Sequence, residues 1–111
     1  MSGLVSIDII LRYMLYCCMI KSFLDKESEY FYKYAKSKKI PNTIHKVALR
    51  KLDYLNAANC LDDLRIPPAN NLEKLVGNLS GFYSIRINKQ YRVIFRYENG
   101  DIYDVSIVDY H

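Results

Sequence analysis

A chain of 111 residues, half of them apolar and a quarter charged, has the composition of one ordinary globular domain and leaves no room for a second. Its net charge is a modest +4. Three cysteines, Cys17 and Cys18 side by side and Cys60 alone, form neither a disulfide framework nor the CxxC spacing of a zinc site. That usage argues against secretion and for a reducing cytoplasm, and any chemistry is expected to need no metal or other cofactor.

Residues 4–20 are largely apolar, but Asp8 and Arg12 interrupt them, and they lack the basic start and small-residue cleavage pattern of a signal peptide. A membrane span needs about 20 apolar residues, so no membrane association is expected. Residues 1–18 are expected to be an extension from an upstream start, with the true start at Met19; an extra amphipathic helix is the alternative. The domain then covers 19–111.

Residues 19–23 suit one short strand. A helix is expected over 25–38, with Asp25 as its N-cap, Phe31, Tyr34 and Ala35 on its buried face, and Pro41 beyond its end. A second follows over 42–58, where Ile44, Val47, Ala48, Leu52, Leu55 and Ala58 recur every three or four residues and Asn42 or Thr43 is the expected N-cap. Residues 59–70, with Pro67-Pro68, lack periodicity and read as a long connection.

The remainder alternates with period two. Tyr83, Ile85 and Ile87 share one face of a strand; Tyr91, Val93, Phe95 and Tyr97 share one face of the next; and Glu98-Asn99-Gly100-Asp101 turns the chain into a strand over 102–108. A two-residue turn at Asn88-Lys89 would set Arg92 opposite Ile85 and Arg86 opposite Tyr91, on different faces. The expected fold is α+β, two helices packed on an antiparallel sheet in the order β-α-α-β-β-β.

Basic residues cluster in two places, Lys33, Lys36, Lys38, Lys39, Lys46, Arg50 and Lys51 in the helical part and Arg86, Lys89, Arg92 and Arg96 on the hairpin. The clustering suits a polyanion, although solvated helix faces are often basic without one. Eleven tyrosines add aromatic faces on which unpaired bases can stack. The chain ends Asp109-Tyr110-His111. Histidine changes charge near neutral pH, so this ending can hold acid–base chemistry; the bland reading is a frayed tail.

The opening Met19-Ile20-Lys21-Ser22-Phe23, the segment Leu72-Glu73-Lys74-Leu75-Val76-Gly77-Asn78, the strand Tyr83-Ser84-Ile85-Arg86-Ile87-Asn88, the return Gln90-Tyr91-Arg92 and the Asp109-Tyr110-His111 end resemble, in order and separation, the HigB host-inhibition toxins of the RelE/ParE superfamily. The resemblance spans 19–111. It implies a type II toxin that cuts messenger RNA in the ribosomal A site without a metal. It also implies a HigA-like antitoxin as partner, with promoter DNA reached only through that complex.

Carried onto this sequence, Arg92 matches an arginine suited to stabilising phosphate, with a surface ion pair as its bland reading. Asp109, Tyr110 and His111 match the active-site ending: His111 to transfer a proton, Tyr110 to stack or donate, Asp109 to orient either. Some family members have a His and, three residues on, a Lys where this chain has Glu73 and Val76. Glu73 is then a base or an ordinary surface carboxylate. Lys74, Arg86 and Lys89 are expected to touch RNA. Two other functions fit the superfamily, a ParE-like gyrase poison and a decayed toxin that only grips its antitoxin.

Overall fold

The computed structural model describes residues 20–110. The expected start at Met19, the extension before it and His111 lie outside the described residues.

Helix α1 spans Lys26–Tyr34. Asp25 caps it as expected, its carboxylate accepting from Ser28 N at 2.9 Å and satisfying one of the helix's orphan amides. The same carboxylate accepts from Ser106 Oγ at 2.7 Å, and Ser28 Oγ accepts from Ile107 N at 3.1 Å, so the helix start is also bonded to the sheet. The helix stops four residues earlier than expected. Ala35 turns left-handed (φ 57°) and its N–H donates to Phe31 O, closing the last turn. Phe31 is buried, but Tyr34 and Ala35 are exposed, contrary to the expected face.

Helix α2 spans His45–Ala57 and is entered through a 3-10 turn, Asn42–Ile44. Neither Asn42 nor Thr43 caps it, because that tight turn takes up the residues in which a side-chain cap would have formed. His45 instead bonds Ile40 O at 2.7 Å and sets its ring against Phe31. Ala48, Leu52 and Leu55 face the core. The connection that follows contains two further 3-10 turns, Leu61–Arg65 and Pro68–Asn70, which bury Leu64 and Asn70.

The sheet has four antiparallel strands in sequential order: β1 Glu73–Lys74, β2 Tyr83–Arg86, β3 Tyr91–Glu98 and β4 Asp101–Asp109. The sequence reading lacked β1, whose two residues are too few to show alternation. Tyr83, Ile85, Ile87, Val93, Phe95, Ile102 and Val105 turn toward the helices and build the core with Phe31, Leu52 and Leu55. Asn99 and Gly100 (φ 52° and 87°) form the expected tight turn between β3 and β4. A bulge places Asp104 and Val105 opposite Phe95, with Asp104 at φ 54°.

Residues 20–23 run parallel to β4 and touch it at two bridges, Ile20 to Ile102 and Phe23 to Val105, rather than forming a continuous strand. Ser22 O accepts from Val105 N, while Lys21 N and Leu24 N donate to Ile102 O and Val105 O. This segment and the start of α1 between them cover the edge of β4, which would otherwise expose unpaired backbone groups.

Candidate functional site

The face of the hairpin turned away from the helices carries Ser84 and Arg86 on β2 and Arg92, Ile94 and Arg96 on β3. Its geometry depends on one residue of register. Loop 88–90 has three residues rather than two, because Asn88 Oδ1 accepts from both Gln90 N (2.8 Å) and Tyr91 N (2.7 Å) and so holds a wider turn. Ile87 N then donates to Tyr91 O, and Arg86 stands directly across from Arg92. The expectation that the two arginines lie on opposite faces is therefore corrected. Strand pairing alternates, and Arg86–Arg92 falls next to the hydrogen-bonded Ile87–Tyr91 pair, where facing side chains approach most closely.

Arg92 is nearly buried, its side chain 11% exposed. Its Nη1 donates to Ser84 Oγ at 2.7 Å and to Asn71 O at 3.4 Å, and lies 3.4 Å from Glu73 Oε1. Asn71 holds the left-handed conformation (φ 46°), which aims that carbonyl, and its side-chain amide donates to Glu73 Oε2. Ser84 is fully buried, so water does not compete with Arg92 for its hydroxyl. All these contacts fall on one nitrogen. Among the described residues, Nε and Nη2 have no hydrogen-bond partner, and that edge of the guanidinium is the fork that grips a phosphate. Tyr110 lies against the same group, its ring centroid 5.4 Å from Arg92 Cζ.

Asp109 pairs with Tyr91 while Val108 pairs with Arg92, so the strand's alternation turns Asp109 to the opposite face from Arg92. Its Oδ2 accepts from Gln90 Nε2 at 3.0 Å, and Tyr110 N donates to Gln90 O at 2.6 Å. Gln90 thereby ties the C-terminal end to the hairpin loop. The frayed-tail reading does not hold for Asp109 and Tyr110.

Residues 21–111 match the model of the HigB-like toxins, RelE-like toxins of the type II toxin–antitoxin system HigB. The chain belongs to this family. It is 49% identical over 83 residues to Toxin HigB-1 of Vibrio cholerae serotype O1, covering 74% of this chain and 87% of that protein. An uncharacterized protein of Haemophilus influenzae is 49% identical over 73 residues, 65% of this chain and 72% of its own. Among solved structures, the fold matches a point mutant of YafQ from E. coli (TM-score 0.53, 12% identity, 81% of this chain and 90% of that one). It also matches a chain of the YoeB-YefM toxin-antitoxin complex from Staphylococcus aureus (TM-score 0.50, 24% identity, 83% and 97%). The α+β expectation agrees with these neighbours, with β1 added to the sheet.

In this HigB-like chain the structure thus brings together Arg92, Tyr110 and Glu73. Lys74 is exposed on β1, facing Tyr83 in the register, one residue past Glu73. Arg86 Nε donates to Asn88 O at 3.2 Å, toward the loop and away from Ser84, and Lys89 is exposed on that loop. Arg96 is occupied by Glu98 at 2.7 Å and Asp104 at 3.6 Å. Lys51, grouped at first with the surface cations, is buried, donates to Asn70 Oδ1 at 2.6 Å and lies 5.6 Å from the Tyr54 ring centroid. Burial, and secondarily the neighbouring Arg50 charge, lower its pKa from the usual lysine value.

Ser84, Asn71 and Gln90 escaped the sequence reading. The signal for Ser84 was present: with the true register it lies diagonal to Arg92, within reach of a long side chain. Among the described residues no cluster of three His, Cys, Asp or Glu side chains is placed to hold a metal ion, and no helix is long and apolar enough to cross a membrane.

Proposed function

We propose that this toxin is a ribosome-dependent endonuclease that cuts messenger RNA in the A site, acts in the cytoplasm, and is held inactive by a HigA-like antitoxin. The reading extends the family's toxin–antitoxin assignment to a reaction. The observation that carries it is the Arg92 cradle, in which one guanidinium nitrogen is anchored and the phosphate-gripping edge is left without a protein partner among the described residues.

In the reaction a ribose 2′-oxygen attacks the adjacent phosphorus while the bond to the 5′-oxygen breaks. A proton leaves the 2′-hydroxyl and another reaches the departing oxygen. Negative charge grows on the non-bridging oxygens, and Arg92 is placed to neutralise it without reorganising, since Ser84, Asn71 and Glu73 already hold it. Tyr110 offers a ring on which a base can stack and fixes one side of the guanidinium. His111 is assigned the proton transfer. Glu73 has its carboxylate committed to Arg92 and Asn71, which favours a positioning role over that of a base. Residues 19–111 are proposed as the toxin domain, with 1–18 an extension.

The test maps 5′ ends of a defined message incubated with translating ribosomes and the purified chain. In-frame breaks are expected that need ribosomes, vanish when Tyr110 and His111 are removed, and fall about 10²–10³-fold with Arg92→Ala, the usual loss for one charge-stabilising donor. Full cleavage by both variants would remove the site assignment.

A second reading, a toxin that binds its antitoxin but no longer cuts, draws on Glu73 and Val76. Glu73 offsets the charge of Arg92, and Val76 is 84% exposed at a position where the family resemblance implies a lysine. Absence of breaks with folded protein and retained antitoxin binding would favour it.

A further inference from the structure

The site around Arg92 leaves unused a basic cleft at the loop end of the hairpin. About 420 Å³ in volume, it opens between α2, the turn Pro68–Asn70 and loop 88–90. Among the described residues four cations line it, Arg50 and Lys51 from α2, Arg86 from β2 and Lys89 from the loop, and no carboxylate does. Among the described residues none of the four has an ion-pair partner, whereas Arg92 and Arg96 on the same sheet face both have one.

Such a concentration of one sign repels itself, and the fold holds it in place. Lys51 is fixed by Asn70 and Tyr54, Arg86 by Asn88 O, and the loop by the two amides that donate to Asn88 Oδ1. The lowered pKa of Lys51, to which Arg50 contributes, is one sign of that repulsion. An anion in the cleft would relieve it.

We propose that this cleft binds the ribose-phosphate backbone of an RNA strand, holding a phosphate among Arg50, Arg86 and Lys89. The volume lies within the range of small-ligand sites, from about 300 Å³ upward, and so accommodates a phosphate with its sugar. Two guanidiniums from different elements match the non-bridging oxygens of a diester. Position favours a polymer over a free anion. Arg86 faces Arg92 across the hairpin, so a strand with one phosphate at Arg92 reaches the cleft by crossing from β3 to β2. The inference rests on the RNA-cutting reading above and assigns it a second point of grip. The strand comes either from the message or from ribosomal RNA.

The test uses the full chain with Arg50→Ala, Lys89→Ala and the double variant, all at exposed side chains outside the core. One probe is a fluorescent single-stranded RNA with 2′-O-methyl groups throughout, which cannot be cut; the other is the ribosome without message. For the double variant, affinity is expected to fall about tenfold, and the dependence of log affinity on log salt to flatten by about 0.7 for each phosphate no longer neutralised. Weaker binding of the oligonucleotide assigns the cleft to the message, and weaker binding of the ribosome alone assigns it to ribosomal RNA. Unchanged affinity and salt dependence for both probes overturn the proposal. Cleavage by Arg92→Ala, measured in parallel, tests the endonuclease reading by itself, because neither binding probe depends on bond breaking.

Discussion

At the scale of single residues, the hydroxyl of Ser84 is the most informative group on the hairpin. It is buried and forms the shortest hydrogen bond to Arg92. Ser84→Ala is expected to slow cleavage about tenfold, the equivalent of one hydrogen bond to a charged group, while ribosome binding stays unchanged. Ser84→Thr, which keeps the hydroxyl, should restore part of the rate; an alanine variant that cuts at the wild-type rate would reduce Ser84 to packing. Lys51 makes a prediction of a different kind. Its pKa is lower in the folded state than in the unfolded one, so between the two values the unfolded chain binds more protons. Its contribution to stability therefore rises with pH toward the ordinary lysine pKa of about 10.5 and is lost as pH falls through the lowered value. Urea unfolding of wild type and Lys51→Met across the alkaline range should show wild type gaining on the variant as pH increases. A constant difference would mean that Lys51 titrates normally.

At the scale of elements, Asp25 joins α1 to β4. It caps the helix through Ser28 N and accepts from Ser106 Oγ, so Asp25→Ala removes a cap and a hydrogen bond between the helix start and the sheet. The expected loss is about 2 kcal/mol, read as a lower urea midpoint at unchanged slope. Asp25→Asn, which retains an acceptor, should lose less. The cap was legible in the sequence because an N-cap is a local pattern. The end of α1 was not: Lys36, Lys38 and Lys39 continue a helical composition, but Ala35 takes a left-handed conformation that its residue type does not announce. The hairpin loop failed for a similar reason, since Asn88-Lys89 satisfies the two-residue rule and only the two amides gathered by the Asn88 side chain select three.

At the scale of the whole molecule, the core joins both helices to the sheet, and residues 20–24 bond β4 along its edge. Deleting residues 1–18 is expected to leave the urea midpoint and message cleavage unchanged, as for an extension outside the domain. A clear drop in the midpoint on deletion would instead identify the extension as a packed helix. The cleft predicts that salt weakens RNA binding more steeply in wild type than in the double variant, which is a property of the charge distribution rather than of any one side chain.

The sequence alone determined the α+β class, the two helices, the alternating strands and the family, because each is written in local periodicity or in motifs kept in order. It also pointed to Arg92 and to the C-terminal residues. Only the tertiary structure decided which faces Arg92, Asp109 and Tyr110 take. A one-residue change in a loop moves a side chain to the other side of a strand, which is how Arg86 came to stand opposite Arg92 and Ser84 within its reach. The partners of Arg92, and the cleft assembled from α2, β2 and a loop, join residues distant in the chain, and no local pattern encodes them.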